Sequence, residues 1–264
     1  MNNCVETTDL LLDTAQLAAL IVLESGGETS RAEEIATIIC KSGGKDAEAI
    51  VLPTGAFLTV KDCEGKKISA AARIKIRGVN LYKVERANAY SRSFSAGKIT
   101  LTELHENLTK LRSSILYSKA AVILASGLSA ALFTLLFEPI LNLTCLFDML
   151  VAFGATVVSQ WVGMSSRLKN SYQFTVTFLS SLLIALITVA SVHFSGIGNI
   201  DPIIIGSIMP LLPGLSFTNA IRDTVMGDLI SGTVRVVETL LIAIGIAGGV
   251  GVVLIAYMNM GGAI

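Results

Sequence analysis

The pattern of hydrophobic and polar positions changes character near Lys119. Before that residue, short apolar stretches alternate with charged positions, as in a globular domain, whereas most of the remaining sequence is apolar. One segment interrupts the apolar half, from Pro210 to Glu238, with the sequence PLLPGLSFTNAIRDTVMGDLISGTVRVVE. Ionisable residues among membrane spans are expensive and usually functional. We therefore expect the chemistry of this protein in this stretch, called the polar segment below.

The first part of the chain has the pattern of an α+β domain. Apolar residues at helical spacing and short β-type runs can be assigned along it. The predicted helices cover 9–25, 29–42, 79–95 and 101–113, and the predicted strands cover 49–52, 57–60 and 68–76, with a turn at 62–65. Glycine pairs close the first two helices. Glu33 and Glu34 are expected in the first turn of the second helix, and Thr100 with Glu103 predicts a capping box.

The second part contains apolar runs long enough to cross a bilayer, which requires about 20 residues. Four continuous spans are predicted at 117–137, 144–163, 174–194 and 236–257. A fifth run, 200–217, is interrupted by Pro202, Pro210 and Pro213, and predicts a broken span. Small residues four apart, such as Gly245 with Gly249 and Gly127 with Ala131, favour close helix packing, either within the chain or between subunits.

These elements predict a cytosolic α+β domain over 1–112 and an all-α membrane domain of five spans over 113–264. Lysine and arginine concentrate in the connections expected on the cytoplasmic side. They are Lys110, Arg112 and Lys119, then Arg167 and Lys169, then Arg222 and Arg235. The prediction is a multi-pass protein of the cell membrane with a cytosolic N-terminal domain and the C-terminus outside.

Composition and charge narrow the function classes. A mean hydropathy of +0.69 and zero net charge fit a membrane protein and argue against a nucleic-acid partner. The cysteines are scattered without a CxxC pair, so neither a metal site nor a disulfide framework is predicted, and no cofactor loop occurs. His105 is expected as an exposed neutral side chain. The alternating Arg73, Lys75 and Arg77 are expected on a solvated or lipid-headgroup-facing strand.

The prolines of the polar segment give it its candidate chemistry. Pro210 and Pro213 remove backbone donors, so a new helix is expected to start near 215–216 and to line a cavity. An arginine on such a helix can hold a substrate carboxylate, and a buried carboxylate can exchange a proton. The candidate substrate-binding residues are Arg222, Asn219, Ser216, Pro213 and Gly214.

Further along, Asp228, Ser231, Arg235 and Glu238 follow at intervals of three, four and three and are expected on one helical stripe. The candidates for proton coupling or orientation are Asp223, Asp228, Arg235 and Glu238, together with Asp148 inside the second span. The alternative is a cytosolic helical hairpin in which Asp223 and an Arg235–Glu238 pair are solvated. The sequence favours neither the cavity-lining helix nor the solvated hairpin over the other.

The separated motifs resemble the threonine/serine exporter family. They are GETSRAEE at 27–34, PTGAF at 53–57, RGVNL at 77–81 and the G-x-I-x-x-x-E stretch at 97–103, then PLLPG at 210–214, NAIRD at 219–223, GD at 227–228, SG at 231–232, Arg235 and Glu238. The resemblance implies export of small carboxylates, namely threonine and serine or, in a two-subunit version, succinate.

The resemblance also implies an incomplete transporter. Long family members have about ten spans, as two five-span repeats would give, and this chain covers only the first half. It resembles the larger subunit of the split version, which needs a short membrane partner; a homo-oligomer is the other source of the missing half. The leading hypothesis is a proton-coupled secondary exporter subunit. A membrane-anchored sensor or scaffold is the alternative, and an enzyme is disfavoured because no nucleophile–base pair is recognisable.

Overall fold

The computed structural model describes residues 2–61, 65–74, 78–138, 141–164 and 173–262. The helices are α1 (Asn2–Glu24), α2 (Thr29–Ser42), α3 (Leu81–Ser95), α4 (Leu101–Ser113), α5 (Lys119–Thr134), α6 (Leu143–Gly163), α7 (Gln173–Ser195), α8 (Ile200–Ile208), α9 (Gly214–Val225) and α10 (Leu229–Asn259). The strands are β1 (Ala47–Leu52), β2 (Gly55–Lys61) and β3 (Lys67–Arg73).

The chain forms two compact units. Unit 1 comprises Met1–Ile115 and Leu215–Val237, and unit 2 comprises Leu116–Gly214 and Glu238–Ile264. The polar segment is therefore divided between them: its α9 helix and the start of α10 pack with the N-terminal elements.

Unit 1 packs its helices against one face of a small antiparallel sheet. The strand order is β1-β2-β3, and Ile50 pairs with Phe57, which pairs with Ala71. Alternate residues of β2, such as Leu58 and Val60, are buried because successive side chains of a strand point to opposite faces. They join a core built mainly from the apolar faces of α1 and α2.

The helix ends of unit 1 follow local sequence signals, with one exception. Thr100 and Glu103 form the predicted capping box. Gly26, with φ of +81°, follows the end of α1, as a left-handed glycine commonly does. Helix α2 begins at Thr29 as predicted, but the expectation that Glu33 and Glu34 lie in its first turn was wrong, because no acidic residue lies there. Its N-cap, Glu28, makes no side-chain capping bond.

His105 is not the isolated exposed residue that the sequence suggested. It is half-buried, and its Nδ1 lies 3.0 Å from Thr14 Oγ1 on α1. The periodicity of α4 placed His105 correctly on the polar side of its own helix, but it does not reveal that α1 covers that side. Cys40 is a free buried thiol, and burial raises its pKa to about 11.

Unit 2 contains the apolar helices. Four helices are long and apolar enough to cross a membrane: Lys119–Phe137, Leu143–Gly163, Gln173–Ser195 and Leu229–Asn259. The first includes a 3-10 turn at its end. A fifth candidate is the pair Ile200–Leu211 and Gly214–Val225, which is bent by 56° at its break. The described residues thus give four spans, or five if the bent pair counts as one.

Close helix packing occurs at the small residues that the sequence marked. A Cβ at Gly249 would overlap Ser181 and the backbone of Phe178 on α7, and a Cβ at Gly127 would overlap Phe153 and Val157 on α6. These glycines are used for packing within the chain, which is one of the two uses that their spacing allowed. Several predictions concern residues outside the described ranges, namely the basic residues Lys75, Arg77, Arg167 and Lys169, Cys63, and most of the turn at 62–65.

Candidate functional site

Helix α9 has the opposite amphipathicity from a helix of a soluble protein. Its buried positions are Asn219, Ala220 and Asp223, whereas Phe217 and Ile221 are half exposed. A helix normally buries its apolar stripe. The buried face of α9 therefore carries an amide and a carboxylate, while its exposed face carries apolar residues together with Arg222.

The polar groups of this region bind three consecutive residues of the α1–α2 turn. Asn219 Nδ2 donates to the Gly26 carbonyl at 2.9 Å, and an Arg235 NH2 group donates to the Gly27 carbonyl at 2.9 Å. Arg222 pairs with the Glu28 carboxylate at 2.6 Å. These carbonyls follow the end of α1, where no further N–H of the helix is available to them, so side-chain donors make their hydrogen bonds. We call this set of three contacts the turn clasp.

Asp223 and Arg235 form a buried ion pair beside the turn clasp. Arg235 Nε lies 3.0 Å from Asp223 Oδ2, and the two residues are 5% and 0% exposed, respectively. Within the described residues, no donor is aligned to make a hydrogen bond to either carboxylate oxygen of Asp223. The pair is therefore held mainly by the attraction between a buried guanidinium and a buried carboxylate.

The turn between α9 and α10 brings these side chains together. Gly227 has φ of +96°, and the Asp228 N–H donates to the Asp223 carbonyl at 2.9 Å. Asp228 lies in this turn rather than on a helical stripe, because α10 begins at Leu229. Ser231 and Arg235 do share a buried face of α10, as their spacing predicted.

Glu33 on α2 is a further carboxyl group that is partly withdrawn from water. Its Oε1 accepts the Val51 N–H at 2.9 Å. Burial raises the pKa of Glu33, the Val51 hydrogen bond opposes the rise, and the negative charges of Asp228 and Asp223 raise it further. Glu33, Asp223 and Asp228 therefore influence one another electrostatically, with Arg235 as the nearby cation.

Asp148 occupies a separate site in unit 2. It is 0% exposed, and both its oxygens lie 3.2 Å from the Asn199 backbone N–H at the start of α8. The Asn199 side-chain amide donates to Glu138 at 3.2 Å and lies 3.5 Å from Asp148. Glu138, which follows the 3-10 turn at the end of the first span, is thus linked to Asp148 through one asparagine.

The structure brings together part of the predicted site. Asn219, Arg222, Asp223 and Arg235 converge in unit 1, whereas Asp148, Pro213, Gly214 and Glu238 belong to unit 2, and Ser216 lies half-buried on α9. The solvated-hairpin alternative is wrong for Asp223 and Arg235, because both are buried and pair with each other. Sequence reasoning missed the partners Gly26, Gly27, Glu28 and Glu33. Gly27, Glu28 and Glu33 lie in the GETSRAEE motif, and Gly26 with Gly27 forms the predicted helix-closing pair, but neither signal indicates that these residues meet the polar segment.

Comparison with known proteins gives one match. The family model for threonine/serine exporters, ThrE, matches residues 13–257, nearly the whole chain. The match covers both the α1–α2 turn and the polar segment. The search of curated proteins and the search of solved structures each gave no match.

Proposed function

This chain belongs to the threonine/serine exporter family, and from that premise we propose that it is a subunit of a proton-coupled secondary exporter of small carboxylates. Threonine, serine and succinate are the candidate cargoes. The observation that supports the proposal most directly is the buried polar cluster of unit 1, formed by residues of an otherwise apolar half. Anchoring a protein in a membrane does not require a buried ion pair, whereas ionisable residues among membrane segments commonly mark the pathway of a solute or an ion.

Arg222 is the proposed contact for the cargo carboxylate. Its side chain is 55% exposed, and its partner is itself a carboxylate, Glu28. A cargo carboxylate can replace Glu28 on the guanidinium because arginine binds any carboxylate with the same fork geometry. Asn219 and Ser216 are proposed to bind the rest of the cargo, and Pro213 with Gly214 to hold the break open.

The carboxyl groups are proposed to couple cargo movement to protons or to orient the cargo-binding residues. The candidates in unit 1 are Asp223 and Asp228, with Arg235 as the cation that they share. Asp148 and Glu238 are the candidates in unit 2. The surroundings of Glu33 support this role for the cluster, since burial raises the pKa of Glu33 and the negative charges of Asp228 and Asp223 raise it further.

A complete transporter is proposed to need a second membrane half. The described residues of the matched chain give four candidate spans, or five with the bent pair. A short membrane partner, or a second copy of this chain, would supply the missing repeat. The predicted orientation, with the N-terminal unit in the cytosol, would place the turn clasp on the side from which an exporter takes its cargo.

Efflux from proteoliposomes tests the proposal. Vesicles loaded with radiolabelled threonine, serine or succinate would receive this chain, with and without the short partner, under an imposed pH gradient. Gradient-dependent efflux of any of the three supports the function. Correctly inserted protein that gives no efflux in either arm contradicts it and favours the sensor or scaffold alternative.

Arg222→Ala is the matched test of the cargo contact. We expect it to abolish efflux while leaving membrane insertion intact, because Arg222 is half exposed and its loss strands no buried group. Arg222→Lys should restore efflux only in part, since lysine lacks the fork. Arg92→Ala removes an exposed cation elsewhere on unit 1 and should have no effect. Normal efflux from Arg222→Ala would overturn the assignment.

A further inference from the structure

Unit 1 contains a cavity that shares Glu28 and Asn219 with the proposed cargo site but extends away from Arg222 to α3. Its volume is about 270 Å³, and it lies between the α1–α2 turn, one face of α3 and the start of α9. The polar side chains that line it are Glu28, Arg31, Glu85, Asn88 and Asn219. On α3, Glu85 and Asn88 lie on the same face as the apolar Leu81, which lines the cavity with them.

The lining combines both signs of charge around an apolar wall. Arg31 supplies a guanidinium at the N-terminal end of α2, where the helix dipole also favours an anion. It pairs with the exposed Glu34 at 2.9 Å, and a ligand carboxylate can replace Glu34 there. Glu85 supplies a carboxylate from α3, and Glu28, which pairs with Arg222, supplies a second one from the turn. Asn88 and Asn219 add side-chain amides, which can both donate and accept hydrogen bonds.

The size of the cavity limits its ligand. Pockets for drug-sized ligands range from roughly 300 to 1,000 Å³. A cavity of about 270 Å³ is smaller than that range and fits a metabolite of around ten non-hydrogen atoms. Nucleotides and peptides are too large for it.

We infer that this cavity binds a small zwitterion, with its carboxylate on Arg31 and its ammonium group on Glu85. A dicarboxylate would place its second carboxylate against Glu85 and Glu28, and a diamine would place a cation against Arg31, so only a ligand with one charge of each sign satisfies both walls. An α-amino acid with a short side chain is the simplest such ligand, and its apolar part would contact Leu81.

Another cavity has a lining of different character. It measures about 480 Å³, lies in unit 2, and is lined by residues such as Tyr117, Val122, Ala125 and Pro210, none of them charged. An uncharged wall on a membrane helix suits lipid chains. Of these two cavities, only the one in unit 1 is lined by charged residues of both signs.

The same zwitterion could reach the cavity as cargo or as a regulator of transport. If the zwitterion is cargo, the inference rests on the proposed function, because Asn219 belongs both to this cavity and to the proposed cargo site. Binding itself requires no transport. The experiment therefore measures binding and efflux separately.

Binding would be measured on the full chain in lipid nanodiscs by isothermal titration calorimetry. The probes are L-threonine, L-threonine methyl ester, which lacks the carboxylate, 3-hydroxybutyrate, which lacks the ammonium group, and succinate. We expect L-threonine to bind at least about tenfold more tightly than the other three, because each analogue leaves one charged wall without its partner. Hydrogen exchange should slow in residues 26–31 and 81–88 when L-threonine is added.

Two variants test the assignment of each wall. Arg31→Gln should weaken L-threonine about tenfold and leave binding of the methyl ester unchanged, while Glu85→Gln should weaken L-threonine similarly and leave 3-hydroxybutyrate unchanged. Glu34→Gln is the control, because it removes the ion-pair partner of Arg31 without changing a residue that lines the cavity. Both lining residues are at least partly exposed, so the variants should fold, as a thermal unfolding curve would verify.

The outcomes separate the two proposals. Loss of binding with equal loss of efflux in both variants identifies the zwitterion as cargo, and loss of binding with altered regulation of efflux identifies it as a regulator; both support the site. L-threonine binding without any efflux supports the site and contradicts the proposed function. Equal binding of L-threonine to the wild type and both variants, or no protection of residues 26–31 and 81–88, overturns the site.

Discussion

Asp223 in unit 1 and Asp148 in unit 2 are both fully buried aspartates, yet their surroundings differ. Asp223 faces the guanidinium of Arg235 and accepts no aligned hydrogen bond from the described residues. Asp148 is held by a hydrogen bond instead of by an ion pair. It accepts the Asn199 backbone N–H, and within the described part of the chain no lysine or arginine pairs with it.

The difference shows two ways to keep a carboxyl group away from water. A buried ion pair stabilises each charge only while the other is present, so loss of one partner leaves an uncompensated charge. A carboxyl held by an amide leaves behind only an unsatisfied neutral donor. The two aspartates should therefore differ in what their removal costs.

Asp223→Ala should have the largest effect on stability. It leaves the Arg235 guanidinium buried without its countercharge, and removing one partner of a buried pair typically costs roughly 3–5 kcal/mol. The free energy of unfolding in detergent micelles, followed by circular dichroism, measures this loss. A cost below about 1 kcal/mol would mean that Arg235 finds another partner and that the pair contributes little.

Replacing both members of the pair sharpens the same point. In Asp223→Leu with Arg235→Met, no buried charge is left, so the double variant should recover most of the stability that Asp223→Ala loses. It should nevertheless fail to export if the pair orients the cargo-binding residues. A stable double variant with normal efflux would show that the pair serves folding alone.

Asp148→Ala should cost less than Asp223→Ala. It leaves the Asn199 N–H without its acceptor, at a cost of roughly 1–3 kcal/mol. Asp148→Asn keeps an oxygen acceptor at the same place and should be nearly as stable as the wild type. If Asp148 takes part in proton coupling, Asp148→Asn should still reduce gradient-dependent efflux. A cost for Asp148→Ala equal to that for Asp223→Ala would contradict the distinction drawn between the two sites.

Glu33→Gln should have the smallest effect, and its sign depends on pH. Folding raises the pKa of Glu33, so its contribution to stability is fully present below the pKa of the unfolded state and is lost as pH rises through the folded pKa. Glutamine keeps an acceptor for the Val51 N–H but carries no charge. The variant should therefore have a higher Tm than the wild type at pH 7.5, with the difference vanishing near pH 4.

The exposed Glu48→Gln variant on β1 is the control for Glu33 and should change Tm by less at both pH values. A Glu33→Gln variant less stable than the wild type at pH 7.5 would mean that the Val51 hydrogen bond outweighs burial and charge repulsion.

Local sequence determined most elements of this protein, although α1 begins at Asn2 and α10 at Leu229, each seven residues before the predicted range. Helix α4 begins and ends where its periodicity and its Thr100 capping box indicate, and the spans at Leu143–Gly163 and Gln173–Ser195 match their apolar runs within a residue. The break after Leu211 follows from Pro213, which cannot continue the hydrogen-bond ladder of a helix. These features depend on residues a few positions apart, so a single sequence contains them.

The partners of the functional residues were decided only by the tertiary structure. Asn219, Arg222 and Arg235 bind the α1–α2 turn across 193, 194 and 208 residues of chain, respectively. Periodicity says which face of a helix a side chain occupies but not which distant element covers that face. The burial of Asp223 and the link from Glu138 to Asp148 depend on such coverage, because burial and electrostatics follow from all neighbouring groups in space.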